Sequence, residues 1–228
     1  MNAPDPTRLP RLEGAVIALD VDGVVLDATL GGSSTWKAVL GEELGVDGGL
    51  LKSEFFDVAW PAVVRGLVPI ESALEEALAR LAWTVTVDEV LNTWFESDFF
   101  PDHDVIDSAA GWADRGARLV LVTNQEHRRA EFLRSRLAKM LPVSAIIYSA
   151  AIGHVKDEPE FYALADAMLE TESFGDAVVF VDDTLGNVEV ARKHGWRAIH
   201  FDQATPWRAT IDHSLRRAAA ARRLRSRA

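Results

Sequence analysis

Two apolar runs, far apart in the chain, each stop at a pair of carboxylates, and this restricts the fold more than any other feature. The first is Ala15-Val16-Ile17-Ala18-Leu19, followed by Asp20-Val21-Asp22-Gly23. The second is Ala177-Val178-Val179-Phe180-Val181, followed by Asp182-Asp183. Short β-branched runs without polar alternation, closed by turn residues, predict strands buried on both faces, as in a parallel sheet. Each acidic pair then lies where its strand stops, and open α/β sheets bind ligands outside the carboxyl ends of their strands. Taken alone, Asp-x-Asp-Gly reads equally well as a solvated turn, because Asp and Gly are turn formers. Two acidic pairs at one sheet edge are different, since like charges repel unless a cation, a proton or solvent intervenes. A hard divalent cation such as Mg2+ takes oxygen ligands and often sits with phosphates, so it suits such a place.

Two further segments point the same way. Leu119-Val120-Leu121-Val122 stops at Thr123-Asn124, whose hydroxyl and amide can donate to phosphate oxygens. A helical pattern follows, with Phe132, Leu133, Leu137, Met140 and Leu141 on one side, and its start would offer backbone N–H groups to an anion. Plain strand-end capping accounts for the same pair. Gly153-His154-Val155-Lys156 precedes Asp157-Glu158-Pro159-Glu160 and another helical stretch. A Lys there would offset negative charge at the strand ends, although a lone Lys is ordinarily a solvated surface group.

Strands are predicted near 15–20, 118–123, 144–148, 177–182 and 197–201, with helices near 104–115, 126–140, 158–170 and 187–194. This alternation predicts an α/β fold, a Rossmann-like parallel sheet with helices on both faces. Between Asp27 and about Phe100 the alternation gives way to helical spacing, as in Ala73, Leu74, Ala77, Leu78 and Leu81, then Val90, Leu91, Trp94 and Phe95. The expected organisation is a discontinuous core over 12–30 and 99–205, with an all-helical insert over 31–98. The insert's aromatics, Trp36, Phe55, Phe56, Trp60, Trp83, Trp94 and Phe95, read mostly as its own core. Lys52 and Arg65 are its candidates for reaching a substrate, and a guanidinium near a helix break suits phosphate or carboxylate. A solvated Arg is the plainer reading of Arg65.

Composition narrows the classes. A net charge of -11 argues against general nucleic-acid binding, which wants a basic face. The chain has no Cys, which excludes disulfides and thiolate metal sites. Residues 1–11 are polar with three prolines and are expected to form a disordered arm. No apolar run approaches the roughly 18 residues of a membrane span, so no membrane partner and a cytoplasmic address are expected. From Arg208 onward there are seven Arg and one Asp, leaving about -17 on the rest. Residues 206–228 are expected to be a helix lying on the acidic body, a frayed end, or an electrostatic arm. The six His lack the i, i+4 pairing of a helical zinc site, and Walker, dinucleotide and serine-hydrolase signatures are missing.

Taken in order, these segments resemble the haloacid dehalogenase (HAD) superfamily, from about Gly14 to Phe201. Asp20 to Gly23 matches the first motif, Thr123 with Asn124 the second, Lys156 the third, and Asp182 with Asp183 the fourth. One departure is Asp157 directly after Lys156, with Pro only at Pro159, where the family often has Lys-Pro-Asp-Pro. The resemblance implies a subclass I member whose insert is a helical cap of the C1 type, acting on a small phosphorylated metabolite with Mg2+. It implies Asp20 as nucleophile and Asp22 as acid and base, with Thr123, Asn124 and Lys156 on the phosphoryl oxygens. Asp20, the Asp22 backbone carbonyl and Asp183 would hold the metal, with Asp182 binding through water or orienting Lys156. Which of Asp182 and Asp183 touches the metal stays open. The family's dehalogenases lack an acid at the position of Asp22, so a phosphatase is expected. A phosphomutase and a non-catalytic binding module on the same scaffold are the alternatives. Sugar phosphates, phosphoglycolate-like acids and nucleoside monophosphates are all compatible substrates.

Overall fold

In the computed structural model, which describes residues 9–30, 33–170 and 177–225, five parallel strands end along one edge of a single sheet. They are β1 (Val16–Leu19), β2 (Arg118–Thr123), β3 (Ala145–Tyr148), β4 (Val178–Asp182) and β5 (Arg197–His200), in the order β3-β2-β1-β4-β5. The apolar runs do not alternate with polar residues because both faces are covered. A short helix, α8 (Ser149–Ile152), follows β3, and Val16 and Ala18 face α9 (Pro159–Leu169) and α10 (Leu185–His194), meeting Phe161, Tyr162, Ala165 and Val188. Ile17 and Leu19 face the other way, toward Val105 and Trp112 of α6 (His103–Asp114) and Leu133 and Leu137 of α7 (His127–Leu137). Gly116, at a φ of +99°, lets the chain turn from α6 into β2.

The residues between β1 and α6 form helices. They are α1 (Ser33–Leu44), α2 (Gly48–Leu51), a π-helical turn (Lys52–Phe56), α3 (Trp60–Val63), α4 (Ile70–Arg80) and α5 (Val87–Ser97). A short stem joins this lobe to the sheet. Asp27 N–H donates to the Phe100 carbonyl at 2.8 Å, and Asp102 N–H to that of Val25 at 2.9 Å. The lobe has its own apolar cluster, with Trp36, Phe55, Leu74, Leu78, Leu91 and Trp94 buried and Phe56, Trp60 and Trp83 packed against them. A capping box starts α5, Thr86 Oγ1 accepting from Glu89 N–H at 3.2 Å and Glu89 from Thr86 N–H at 2.7 Å.

The expected N-terminal arm lies mostly outside the described residues. Those that are described are tied down, with Arg115 Nε donating to the Pro10 carbonyl at 2.8 Å and Leu12 buried. The Arg-rich tail is not a free arm: α11 (Trp207–Arg225) lies on the sheet, and residues 226–228 lie outside the description. Its anchors are Trp207, Ile211, Leu215, Ala218 and Ala219, one stripe at helical spacing within the core cluster. Arg223 reaches Glu13 at 2.9 Å and Arg208 reaches Asp104 at 2.9 Å, so part of its charge rests on the acidic body. Among the described residues no helix is long and apolar enough to cross a membrane.

Leu215→Ala is expected to cost about 2–5 kcal/mol, as for other fully buried leucines. The exposed Leu224→Ala on the same helix is expected to stay within about 0.5 kcal/mol. Urea unfolding of the two variants distinguishes a structural helix from an appended tail.

Candidate active site

Register decides which side chains meet. Leu19 pairs with Val181 across β1 and β4, so the next residues, Asp20 and Asp182, arrive side by side at the strand ends. Both are buried. Lys156 is buried too, and its Nζ lies 2.6 Å from Asp20 Oδ2 and 2.7 Å from Asp182 Oδ2. Burial pushes the Asp20 carboxyl well above the ordinary carboxylate range, Lys156 opposes this, and the charge of Asp182 adds to it. Burial alone would depress the Lys156 ammonium, but the two carboxylates it touches raise it above its ordinary value. The Lys156 loop is set from behind, its backbone N–H donating to Asn124 Oδ1 at 2.9 Å. With Asp157 directly after it, Lys156 is still in contact with the first carboxylate.

The adjacent acids sit in different surroundings. Asp182 is fully enclosed, its oxygens accepting from Lys156, from Thr184 N–H at 2.7 Å and from Asn187 Nδ2 at 3.1 Å. Asp183 is exposed, faces the cavity, and has a long 3.4 Å contact with Thr184 Oγ1. Burial and then the charge of Asp182 push its carboxyl up. Oxygens of Asp20, Asp182 and Asp183 lie within 4.8 Å of one another. Three carboxylates against one ammonium leave two negative charges, and oxygen ligands with that residual charge fit a divalent cation. Gly23 makes room for Asp183: a Cβ there would stand 2.2 Å from Asp183 Oδ2, and its φ is +84°.

A cavity of about 290 Å³ opens onto these groups, lined by Asp20, Asp22, Thr123, Asn124, Lys156 and Asp183 among others. Thus the structure brings together every core candidate read from the sequence. The two lobe candidates are elsewhere. Lys52 pairs with Asp57 at 2.6 Å on the lobe surface. Arg65 donates to Glu158 Oε1 from Nη2 at 2.6 Å and to the Pro61 carbonyl from Nη1 at 2.9 Å. Neither lines the cavity. The start of α7 is not open to an anion either. Glu126 is its N-cap and accepts from Arg128 N–H at 2.6 Å and Arg129 N–H at 2.5 Å, filling the place an anion would take. Burial raises the Glu126 carboxyl, and those two N–H bonds work against the rise.

Three residues at the site escape a sequence reading. Asn187 holds Asp182, while Gln125 and Arg129 hold Asp22, Gln125 Nε2 at 2.5 Å from Oδ2 and Arg129 Nη2 at 2.9 Å from Oδ1. A signal for Arg129 did exist: it shares the i, i+4, i+8 stripe of α7 with buried Leu133 and Leu137.

No protein-family model matches the chain. The enolase-phosphatase E1 of Streptomyces avermitilis is 27% identical over 166 residues, covering 61% of this chain and 67% of that protein. A HAD family enzyme from Bacteroides thetaiotaomicron superposes with a TM-score of 0.67 at 13% identity, over 90% of this chain and 99% of its own. A protein from Porphyromonas gingivalis described as a predicted HAD-like family hydrolase gives 0.66 at 18% identity, over 92% and 99%. The Bacteroides enzyme has also been solved with magnesium and inorganic phosphate, in a form matching at 0.65 and 14% identity over 85% and 96%. The fold is that of the HAD enzymes.

Two outcomes follow from this geometry. Gly23→Ala is expected to cost about 1–2 kcal/mol from its left-handed backbone alone. It is also expected to displace Asp183, which calorimetry reads as weakened divalent-cation binding. Bonds from Arg65 hold the Glu158 carboxyl below its ordinary value. Such a group stabilises above its unfolded pKa, and that contribution is lost as pH falls through the folded one. The stability difference between wild type and Arg65→Ala, below about 1 kcal/mol at neutral pH, is expected to close between about pH 5 and pH 3.

Proposed function

We propose that the chain is a Mg2+-dependent phosphatase of the HAD type, hydrolysing a small phosphorylated metabolite through an aspartyl-phosphate on Asp20. The observation that carries this reading is the convergence of Asp20, Asp22, Asp183, Thr123 and Lys156 on one cavity at the strand ends. The enolase-phosphatase relative and the neighbour solved with magnesium and phosphate support it.

In this reading Asp20 attacks phosphorus as the bond to the leaving oxygen breaks, and Asp22 gives that oxygen its proton. Water then attacks the aspartyl-phosphate, Asp22 takes a proton from it, and phosphate and the Asp20 carboxylate are released. Thr123, Asn124 and Lys156 hold the transferring oxygens. Asp20, the Asp22 backbone carbonyl and Asp183 would hold the metal, and Asp182, whose oxygens are already taken, orients Lys156. When bound, Mg2+ supplies charge neutralisation between an anionic nucleophile and an anionic phosphate. Asp22 separates this reading from dehalogenation, since halide leaves without a proton. Its side chain is 49% exposed and lines the cavity, where a leaving oxygen would sit.

Residues 31–98 are assigned as the cap over a core of 12–30 and 99–205. The lobe's contacts with the core support this, because several come from neighbouring residues of one helix. Arg128 of α7 reaches Asp88 at 2.8 Å and Glu71 at 3.6 Å, and Phe132 packs on Phe95, while Arg65 reaches Glu158 at 2.6 Å beyond that helix.

Phosphate release from a panel of phosphorylated metabolites and an aryl phosphate tests the reading. Turnover is expected with Mg2+, and a loss of at least about a thousandfold with chelator or with Asp20→Asn. Folded wild type that is silent across the panel would overturn it.

A further inference from the structure

We infer that Arg129 is a positioning residue for Asp22: one buried guanidinium, set between Asp22 and Asp98 at the end of α5, orients the acid and ties it to the seating of the lobe. The inference rests on the phosphatase reading above.

Arg129 Nη2 lies 2.9 Å from Asp22 Oδ1 and 2.9 Å from Asp98 Oδ2. Gln125 takes the other Asp22 oxygen, so donors from the first turn of α7 and the residues before it fix both sides of the carboxylate. The guanidinium is 2% exposed and lies against Trp94 and Phe95 of α5, at 5.6 and 5.7 Å from their ring centres. Its Nε and Nη1 are buried without a hydrogen-bond partner, as is Trp94 Nε1. Keeping a cation in that setting is costly, and packing does not require one, since an aliphatic side chain of similar volume would fill the space. What the cation supplies is one nitrogen that serves two carboxylates from different parts of the fold. Asp22 belongs to the turn after β1, and Asp98 caps the last helix of the lobe. A shift of α5 moves Asp98, and with it the group that orients Asp22.

General-acid help matters most when the leaving group is poor. A p-nitrophenolate leaves readily without a proton, whereas a phenolate depends more on one. The test therefore compares p-nitrophenyl phosphate with phenyl phosphate in the full-length chain with Mg2+, using Arg129→Lys and Asp98→Asn. For Arg129→Lys, kcat on phenyl phosphate is expected to fall on the order of 30- to 100-fold. On p-nitrophenyl phosphate it is expected to fall less than about 5-fold, with KM on both within about 3-fold. Asp98→Asn, which leaves Arg129 in place, is expected to show the same asymmetry to a smaller degree. Both variants are expected to keep the wild-type rise in Tm on addition of Mg2+ and inorganic phosphate. Equal losses on both substrates would reduce Arg129 to a structural role, and unchanged rates would remove the role altogether. Asp20→Asn is the control. If it retains turnover, the phosphatase reading falls and takes this inference with it. If it is inactive while the Arg129 and Asp98 variants show no asymmetry, only this inference falls.

Discussion

The Lys156 ammonium between Asp20 and Asp182 is the contact on which the rest of the site depends. Parallel pairing of β1 with β4 forces two carboxylates together in a buried place, where unpaired charge is expensive. Lys156 meets both and is held by Asn124 from the end of β2, so three strands share one charge cluster. Removing the ammonium alone would strand two buried charges, a loss well beyond that of an exposed ion pair. The same contact fixes direction. With Asp182 occupied by Lys156, Thr184 and Asn187, the exposed Asp183 is the acid that faces the cavity with Asp20.

Much of this was legible in the sequence, for a physical reason. A strand buried on both faces must be apolar throughout, so its end stands out wherever polarity returns. Asp20, Thr123 and Asp182 are each such a return, and the five strands lie where strands were expected. Gly23 was readable as a turn residue, but not as the space into which Asp183 fits, because that needs the register of β1 and β4. Arg65 read as a candidate for reaching a substrate, with a solvated Arg the plainer reading. Its partner in the structure, Glu158, is 93 residues away, and local pattern carries no trace of such pairings. The α7 start failed as an anion site for a more local reason, since Glu126 stands directly before the helix and caps it. Arg129 was hidden by chemistry: next to Arg128 it looks like a surface charge, and only its helical stripe places it inside.

Helix α7 serves both halves of the molecule. Its inward face packs Leu133 and Leu137 on the sheet. The neighbouring stripe carries Arg128, Phe132 and Arg136, which meet Glu71 and Asp88, Phe95 and Glu96 of the lobe region, and Arg129, at the head of the inward stripe, meets Asp98. These contacts are mostly ionic and partly exposed, and exposed pairs are individually weak and screened by salt. Lobe and core are thus joined more loosely than either is packed within itself.

The stem at Val25 to Asp27 and Phe100 to Asp102 has a consequence for how the chain assembles. β1 is the central strand, yet its partner β2 comes only after the whole lobe has been made. Closing so long a connection has an entropic cost that grows with its length, though slowly. The lobe, with a cluster of its own, shortens that connection. Once its helices have gathered and its two ends have paired, β1 and β2 are separated in effect by the stem and α6 alone. The insert is a closed excursion: the chain leaves and returns at one point, and the sheet on either side can form as though the two ends were nearly continuous.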